Sequence, residues 1–108
     1  MTDEELVELA GLLGWDPVDG EGFAQQILWP EQRSDWKPLA WLLTGDGMLA
    51  ILTRMGEMGY DSMVSAFTSG KSVASFFDEV IGRVASQYAD TLPEAVAGAA
   101  LRALRGVR

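Results

Sequence analysis

The side chains in this chain whose type and spacing could do chemistry are carboxylates. Asp16, Asp19 and Glu21 fall within Asp16-Pro17-Val18-Asp19-Gly20-Glu21, and clustered oxygen donors are what Ca²⁺ or Mg²⁺ requires. The helix-flanked calcium loop wants acids at alternating positions, a central Gly and a terminal Glu. This stretch meets that pattern only in part, so a solvated turn is the expectation and no metal is assigned. Asp78-Glu79 could act as acid and base, yet neighbours in a turn usually point into water. Gly70-Lys71-Ser72 imitates the end of a phosphate-binding loop, but Ala66 stands where the first glycine is required; a hairpin turn is the plainer reading. The other glycine turn, Gly45-Asp46-Gly47, carries no such motif. The chain has no Cys and no His, which excludes thiolate, Ser-His-Asp, Cys-His and His-metal mechanisms. The expectation is a protein that is not an enzyme, with no catalytic residues, no cofactor and no metal.

Binding is the chemistry left to these carboxylates. Sixteen acids face eight bases over 108 residues, and the imbalance is local: residues 1–61 hold twelve acids against Arg33, Lys37 and Arg54, a charge of −9, while residues 62–108 stand at +1. All four tryptophans, Trp15, Trp29, Trp36 and Trp41, also lie in the acidic half. Folding rules account for some of the acids. Asp3, Glu4 and Glu5 suit a helix start, and Asp46 suits a cap. Asp16, Asp19, Glu21, Glu31 and Asp35 are left over, among the aromatics. At least two of the four tryptophans are expected in the core, with Trp29 and Trp36 the better surface candidates. The expected partner-binding surface is therefore Asp16, Asp19, Glu21, Trp29, Glu31, Asp35 and Trp36. Acidic charge repels nucleic acid, so direct nucleic-acid binding is not expected, but it attracts a protein whose own groove is basic.

The elements that must position this surface are legible to different degrees. Thr2 followed by Glu5 fits a capping box, with Leu6, Leu9, Leu12 and Leu13 at helical spacing and Gly14 as a stop. Residues 15–37 are broken by Asp16-Pro17, Asp19-Gly20, Gly22, Trp29-Pro30 and Ser34-Asp35, and read as a long loop. Within it, residues 23–29 fit either one helical turn or a short strand. Trp36-Lys37-Pro38-Leu39-Ala40-Trp41-Leu42-Leu43 suits a short helix with Pro38 in its first turn. A further helical face, Met48, Leu49, Ile51, Leu52 and Met55, starts at the Asp46 cap and ends near Gly56 or Gly59, so that the two segments fit either two helices or one kinked helix.

From Tyr60 the period changes to two. Residues 62–67, 73–77 and 83–88 read as a three-stranded antiparallel meander, with Met63, Ser65 and Phe67 on one face and Arg83, Ala85 and Gln87 sharing another. A helix over residues 75–89 is the competing reading, which Gly82 disfavours. Thr91-Leu92-Pro93-Glu94 then reads as a second capping box, with Pro in the first turn, that starts an alanine-rich helix to about Arg105. The expected fold is α+β: helices packed on a small three-stranded antiparallel meander, with the C-terminal helix alanine-rich. It forms one domain over residues 1–108, with a helical and acidic-loop part to residue 59 and the meander and last helix from residue 60. With 48% apolar residues it should fold. No apolar run is long enough to span a membrane, and the acidic start does not suit a secretory signal, so an intracellular protein is expected.

Strands, a glycine turn, Val84-Ala85-Ser86-Gln87-Tyr88-Ala89 and then Thr91-Leu92-Pro93-Glu94-Ala95-Val96-Ala97-Gly98-Ala99-Ala100-Leu101-Arg102-Ala103-Leu104 form an order that resembles the ending of small phage and prophage proteins. Many of these are grouped as phage αβα-sandwich (ABA sandwich) domains. Trp36-Lys37-Pro38-Leu39 stands where those chains place a Trp-Xaa-Pro-Leu segment, and the resemblance runs over roughly residues 36–106. It implies a mobile-element origin and expression in a bacterial cytoplasm, and it brings no functional residues with it. The functional expectation is an accessory protein that inhibits a host defence complex, as anti-CRISPR proteins do, or a nucleic-acid-binding complex, through an acidic surface mimicking nucleic acid. The alternative is a phage morphogenesis subunit that assembles with itself through strand edges or the alanine-rich face; a small metal-dependent enzyme is the third.

Overall fold

A computed structural model describes residues 1–18, 21–27, 33–80 and 82–106; the side chains of Gln26, Ile27, Arg33, Ser34 and Asp35 lie outside the description. The first helix, α1 (Asp3–Leu12), begins as its sequence dictates. Thr2 Oγ1 accepts the Glu5 N–H at 3.2 Å and Glu5 Oε1 accepts the Thr2 N–H at 3.0 Å, closing a capping box. It ends on a Schellman motif, with Gly14 N–H donating to Gly11 O and Trp15 N–H to Ala10 O. The second α-helix, α2 (Gly45–Glu57), ends the same way: Gly59 N–H donates to Gly56 O and Tyr60 N–H to Met55 O, which places its stop at Gly59. Both turns need a positive φ, 85° at Gly14 and 97° at Gly59, which only glycine adopts at no steric cost.

Residues 15–37, expected as a loop, instead hold a sheet: β1 (Asp16–Val18), β2 (Gly22–Ile27) and β3 (Arg33–Pro38), antiparallel in that order. The breakers that suggested a loop sit where a small sheet tolerates them. Pro17 lies on the edge strand β1 and Pro38 is the last residue of the other edge, so neither removes a hydrogen bond from a central strand. Residues 23–27 take the strand form of the two conformations open to them. Trp36 and Lys37 belong to β3, and only Leu39–Leu43 winds into a helix, a 3₁₀ helix. Asp46 does not cap α2. Thr44 does, accepting the Gly47 N–H on Oγ1 at 3.2 Å while donating to Trp41 O at 2.6 Å. Asp46 stands in the first turn, where its charge still complements the helix dipole.

The second sheet is the expected meander, β4 (Asp61–Ala66), β5 (Ser72–Asp78) and β6 (Gly82–Ala89). A register shift pairs Phe76 with Ala85 but Phe77 with Arg83, leaving Val84 as an extra residue in β6. The bulge separates Arg83 from Ala85, which were expected on one face: Arg83 is exposed while Ala85 is buried.

The last helix, α3 (Leu92–Arg105), lies between the second sheet on one side and α1, α2 and the 3₁₀ helix on the other. Ala95, Val96, Ala97, Ala99, Ala100, Leu101, Ala103 and Leu104 are all buried, which spans most of its circumference. Alanine side chains let elements approach the helix axis from both sides, and that explains the composition. The alanine face is therefore spent inside the fold and is not free for self-assembly. Leu6, Leu9, Leu13, Phe23, Leu42, Ile51, Met55 and Phe76 complete one continuous core. Leu49, expected on the inner face of α2, is 58% exposed. The architecture is α+β, as the sequence indicates, with a second sheet added.

Candidate functional site

The first sheet positions the acidic and aromatic candidates. Its register aligns Asp16, Ala24 and Trp36 in one cross-strand row and Pro17, Phe23 and Lys37 in the next. Neighbouring rows point to opposite faces. Phe23 fixes which face turns inward: it is fully buried, stacked on Trp15 with ring centroids 5.2 Å apart and tilted against Trp41 at 6.1 Å. Lys37 shares that face, its Nζ 5.1 Å from the centre of the Trp41 ring, a cation–π contact. The Asp16 and Trp36 row is consequently the outer face, and Trp36 is 54% exposed. Two strand spacings, about 10 Å, separate the backbones of Asp16 and Trp36 across Ala24.

Glu21 lies in the turn entering β2, exposed, its N–H donating to Val18 O and its carbonyl accepting from Leu39 N–H. Asp16, Glu21 and Trp36 are thus gathered on one sheet and its turn. Asp35 takes its place in β3 opposite Gln25, but its side chain lies outside the description. Asp19, Trp29 and Glu31 lie outside the described residues. Of the tryptophans, Trp15 is buried and Trp41 partly buried, in keeping with at least a share of core duty for this residue type.

Gly22 is a residue of this surface that the sequence reading passed over as a breaker. It is buried beneath Trp36: a Cβ there would lie 2.7 Å from Cε2 and Cζ2 of the indole and against the Lys37 carbonyl. The signal available in sequence is a glycine in a strand position with a large aromatic on the neighbouring strand.

The other residues singled out by type make local contacts. Residues 67–71 form a hairpin turn, with Phe67 N–H donating to Lys71 O and Gly70 N–H to Phe67 O, and Lys71 Nζ lies 2.7 Å from Asp90 Oδ1. The Lys71 hydrogen bond and then its charge hold the Asp90 carboxyl below the usual carboxylate range. Asp78 Oδ1 accepts the Val80 N–H at 2.8 Å, ordering the β5–β6 turn. Among the described residues, no group of three or more carboxylates is placed to hold a metal ion. A shallow cavity of about 280 Å³ is lined by Glu5, Gln87, Leu101, Arg102 and Arg105, among others. Its cations are engaged: Arg105 forks onto Glu8 at 2.7 and 3.1 Å, and Arg102 donates to Ser86 O.

What the first sheet offers among the described residues is an exposed indole, Trp36, with Asp16 in the same cross-strand row and Glu21 in the turn entering β2. None of the described helices is long and apolar enough to cross a membrane. Comparisons of the chain with protein-family models, with curated proteins and with solved structures find no match.

Proposed function

We propose that the protein acts by protein–protein interaction, as a phage-encoded accessory protein whose first sheet, with the carboxylates of its strands and turns, occupies the basic groove of a host protein or nucleoprotein complex. The target class is a host defence complex or another nucleic-acid-binding assembly, and the effect is inhibition by exclusion of its nucleic acid. The observation that carries the reading is the outward Trp36 on the same face as Asp16, beside Glu21, within a half-chain of charge −9. Carboxylates supply the long-range attraction to a basic groove, and a half-exposed indole supplies contact area once docked. The resemblance of residues 36–106 to small phage proteins supports the mobile-element origin and a site of action in the bacterial cytoplasm.

The test is competition. Reversing Asp16, Asp19 and Glu21 to Lys together should abolish displacement of nucleic acid from the target while the far-ultraviolet circular dichroism stays that of the wild type. Inhibition that survives high salt and the triple reversal would rule the mimicry out.

A further inference from the structure

The second sheet carries an unprotected edge. β4 pairs with β5 on one side, and no described strand lies on its other side. All six of its residues are exposed. Natural edges are commonly blocked by charge, proline or a bulge. Here β4 reads Asp-Ser-Met-Val-Ser-Ala, its single charge at the first residue and no proline in it, and the β4–β5 register runs without a shift.

The hydrogen-bond phase of this edge follows from the hairpin. Phe67 N–H donates to Lys71 O at 2.8 Å. Stepping back by twos along the register, Ser65, Met63 and Asp61 turn their backbone groups to β5, and Ser62, Val64 and Ala66 turn theirs outward. The outward groups are thus spaced symmetrically about Val64. Met63 and Phe67 are 55% and 48% exposed beside this edge, with Tyr88 stacked on Phe67 at 6.4 Å.

We propose that a second copy of this chain docks on β4, the two β4 strands pairing antiparallel about a two-fold axis through Val64 and joining two three-stranded sheets into one of six strands. In that arrangement Ser62 meets Ala66 of the other copy and Val64 meets its own counterpart, so every outward N–H and C=O gains a partner. Charge favours a copy as the occupant. Between residues 61 and 71 the only charged side chains are Asp61 and Lys71, at opposite ends. Antiparallel pairing sets Asp61 beside Phe67 of the other copy and keeps the two Asp61 side chains at opposite ends, while Lys71 stays paired with Asp90 at 2.7 Å, so no like charges face one another across the new pair. The near-neutral half of the chain, +1 over residues 62–108, is also the half through which two copies meet without the repulsion of the acidic part.

The experiment is sedimentation velocity on the full chain from low micromolar to near-millimolar concentration. The wild type should pass from monomer to dimer and stop there. Val64→Pro removes an outward N–H without taking a bond from β5, and should remain monomeric with unchanged circular dichroism. Val64→Lys places like charges opposite one another on the axis and should weaken dimerisation several-fold; it decides the matter if the proline variant does not fold. A wild type that stays monomeric, or one whose dimer survives Val64→Lys at full strength, overturns the proposal. Neither substitution touches Asp16 or Trp36, so the outcome is independent of the acidic surface.

Discussion

The indole of Trp36 lies over the backbone of Gly22, so close that a Cβ on Gly22 would stand 2.7 Å from two of its ring carbons. An aromatic ring laid over a strand glycine covers backbone that would otherwise face water, and the glycine fixes where the ring sits. Trp36 is thereby held in place while 54% of it stays exposed, the condition under which a side chain can add contact area at little ordering cost.

Gly22→Ala should therefore destabilise the protein by about 1–3 kcal/mol, because the new methyl meets both the ring and the Lys37 carbonyl. Trp36→Ala, at an exposed site, should cost about 1 kcal/mol or less yet eliminate partner binding. Urea denaturation of the two variants separates these outcomes. Equal stability losses would mean that Trp36 supports the fold as much as Gly22 does, and partner capture retained by Trp36→Ala would mean that Trp36 serves the fold alone.

Arg54 ties α2 to the end of α1: its Nε donates to the Leu13 carbonyl at 2.7 Å, and its Nη1 lies 3.4 Å from Glu57. No basic residue in the last turn of α1 does this locally. Arg54→Met keeps the apolar stem but leaves the helix-end carbonyl without its charged donor, and should lower stability by about 1–2 kcal/mol. Chemical denaturation checks it; an unchanged midpoint would mean that water replaces the guanidinium without loss.

Thr44 joins the 3₁₀ helix to α2 through two bonds of one hydroxyl. Thr44→Ala should cost about 1 kcal/mol, whereas Asp46→Asn, at the second residue of the helix, should cost only about a few tenths of that. Thermal unfolding of the pair, compared at their midpoints, tests the assignment of the cap.

Acid should weaken the fold through two carboxylates. Hydrogen bonds from the Thr2 N–H and hydroxyl hold Glu5 below its ordinary pKa, as the Lys71 hydrogen bond and charge do for Asp90. A pKa lowered by folding adds stability that is full above the unfolded value and is lost as pH falls through the folded one. The unfolding midpoint should hold near neutrality and fall below about pH 4, and Glu5→Gln with Asp90→Asn should flatten that fall. Lys71 is raised by the same pair, so its contribution persists through neutrality and is lost only as pH rises past the ordinary lysine range. An acid limb unaltered in the double variant would assign the loss to other carboxylates.

The ends of α1 and the start of α3 were legible because capping is local, whereas the start of α2 was not, Thr44 standing where Asp46 was expected. Thr2, Glu5, Gly14, Thr91 and the Leu/Ala spacing state their roles within a few residues. The second meander was legible because residues 62–88 alternate and turn at glycines. The first sheet was not. Its strands are short, its prolines sit at edges where they are tolerated, and its centre, Phe23-Ala24-Gln25-Gln26, has little β-branched character. Its existence depends on Phe23 stacking with Trp15 and packing against Trp41, contacts that composition does not reveal. Of the seven candidate surface residues, Asp16, Glu21 and Trp36 lie on the first sheet and its turn, and the Gly22 seat beneath Trp36 required the register.

The proposed function has the tryptophan-bearing first sheet, with the carboxylates of its strands and turns, engage a basic nucleic-acid-binding partner. It is tested most directly by affinity capture from bacterial lysate at low and high salt, with wild type and the Asp16, Asp19 and Glu21 triple reversal side by side. A nucleic-acid-binding protein retained by the wild type at low salt, released at high salt and never retained by the reversed variant is the predicted result. Capture of the same protein by both forms, or capture indifferent to salt, would contradict it.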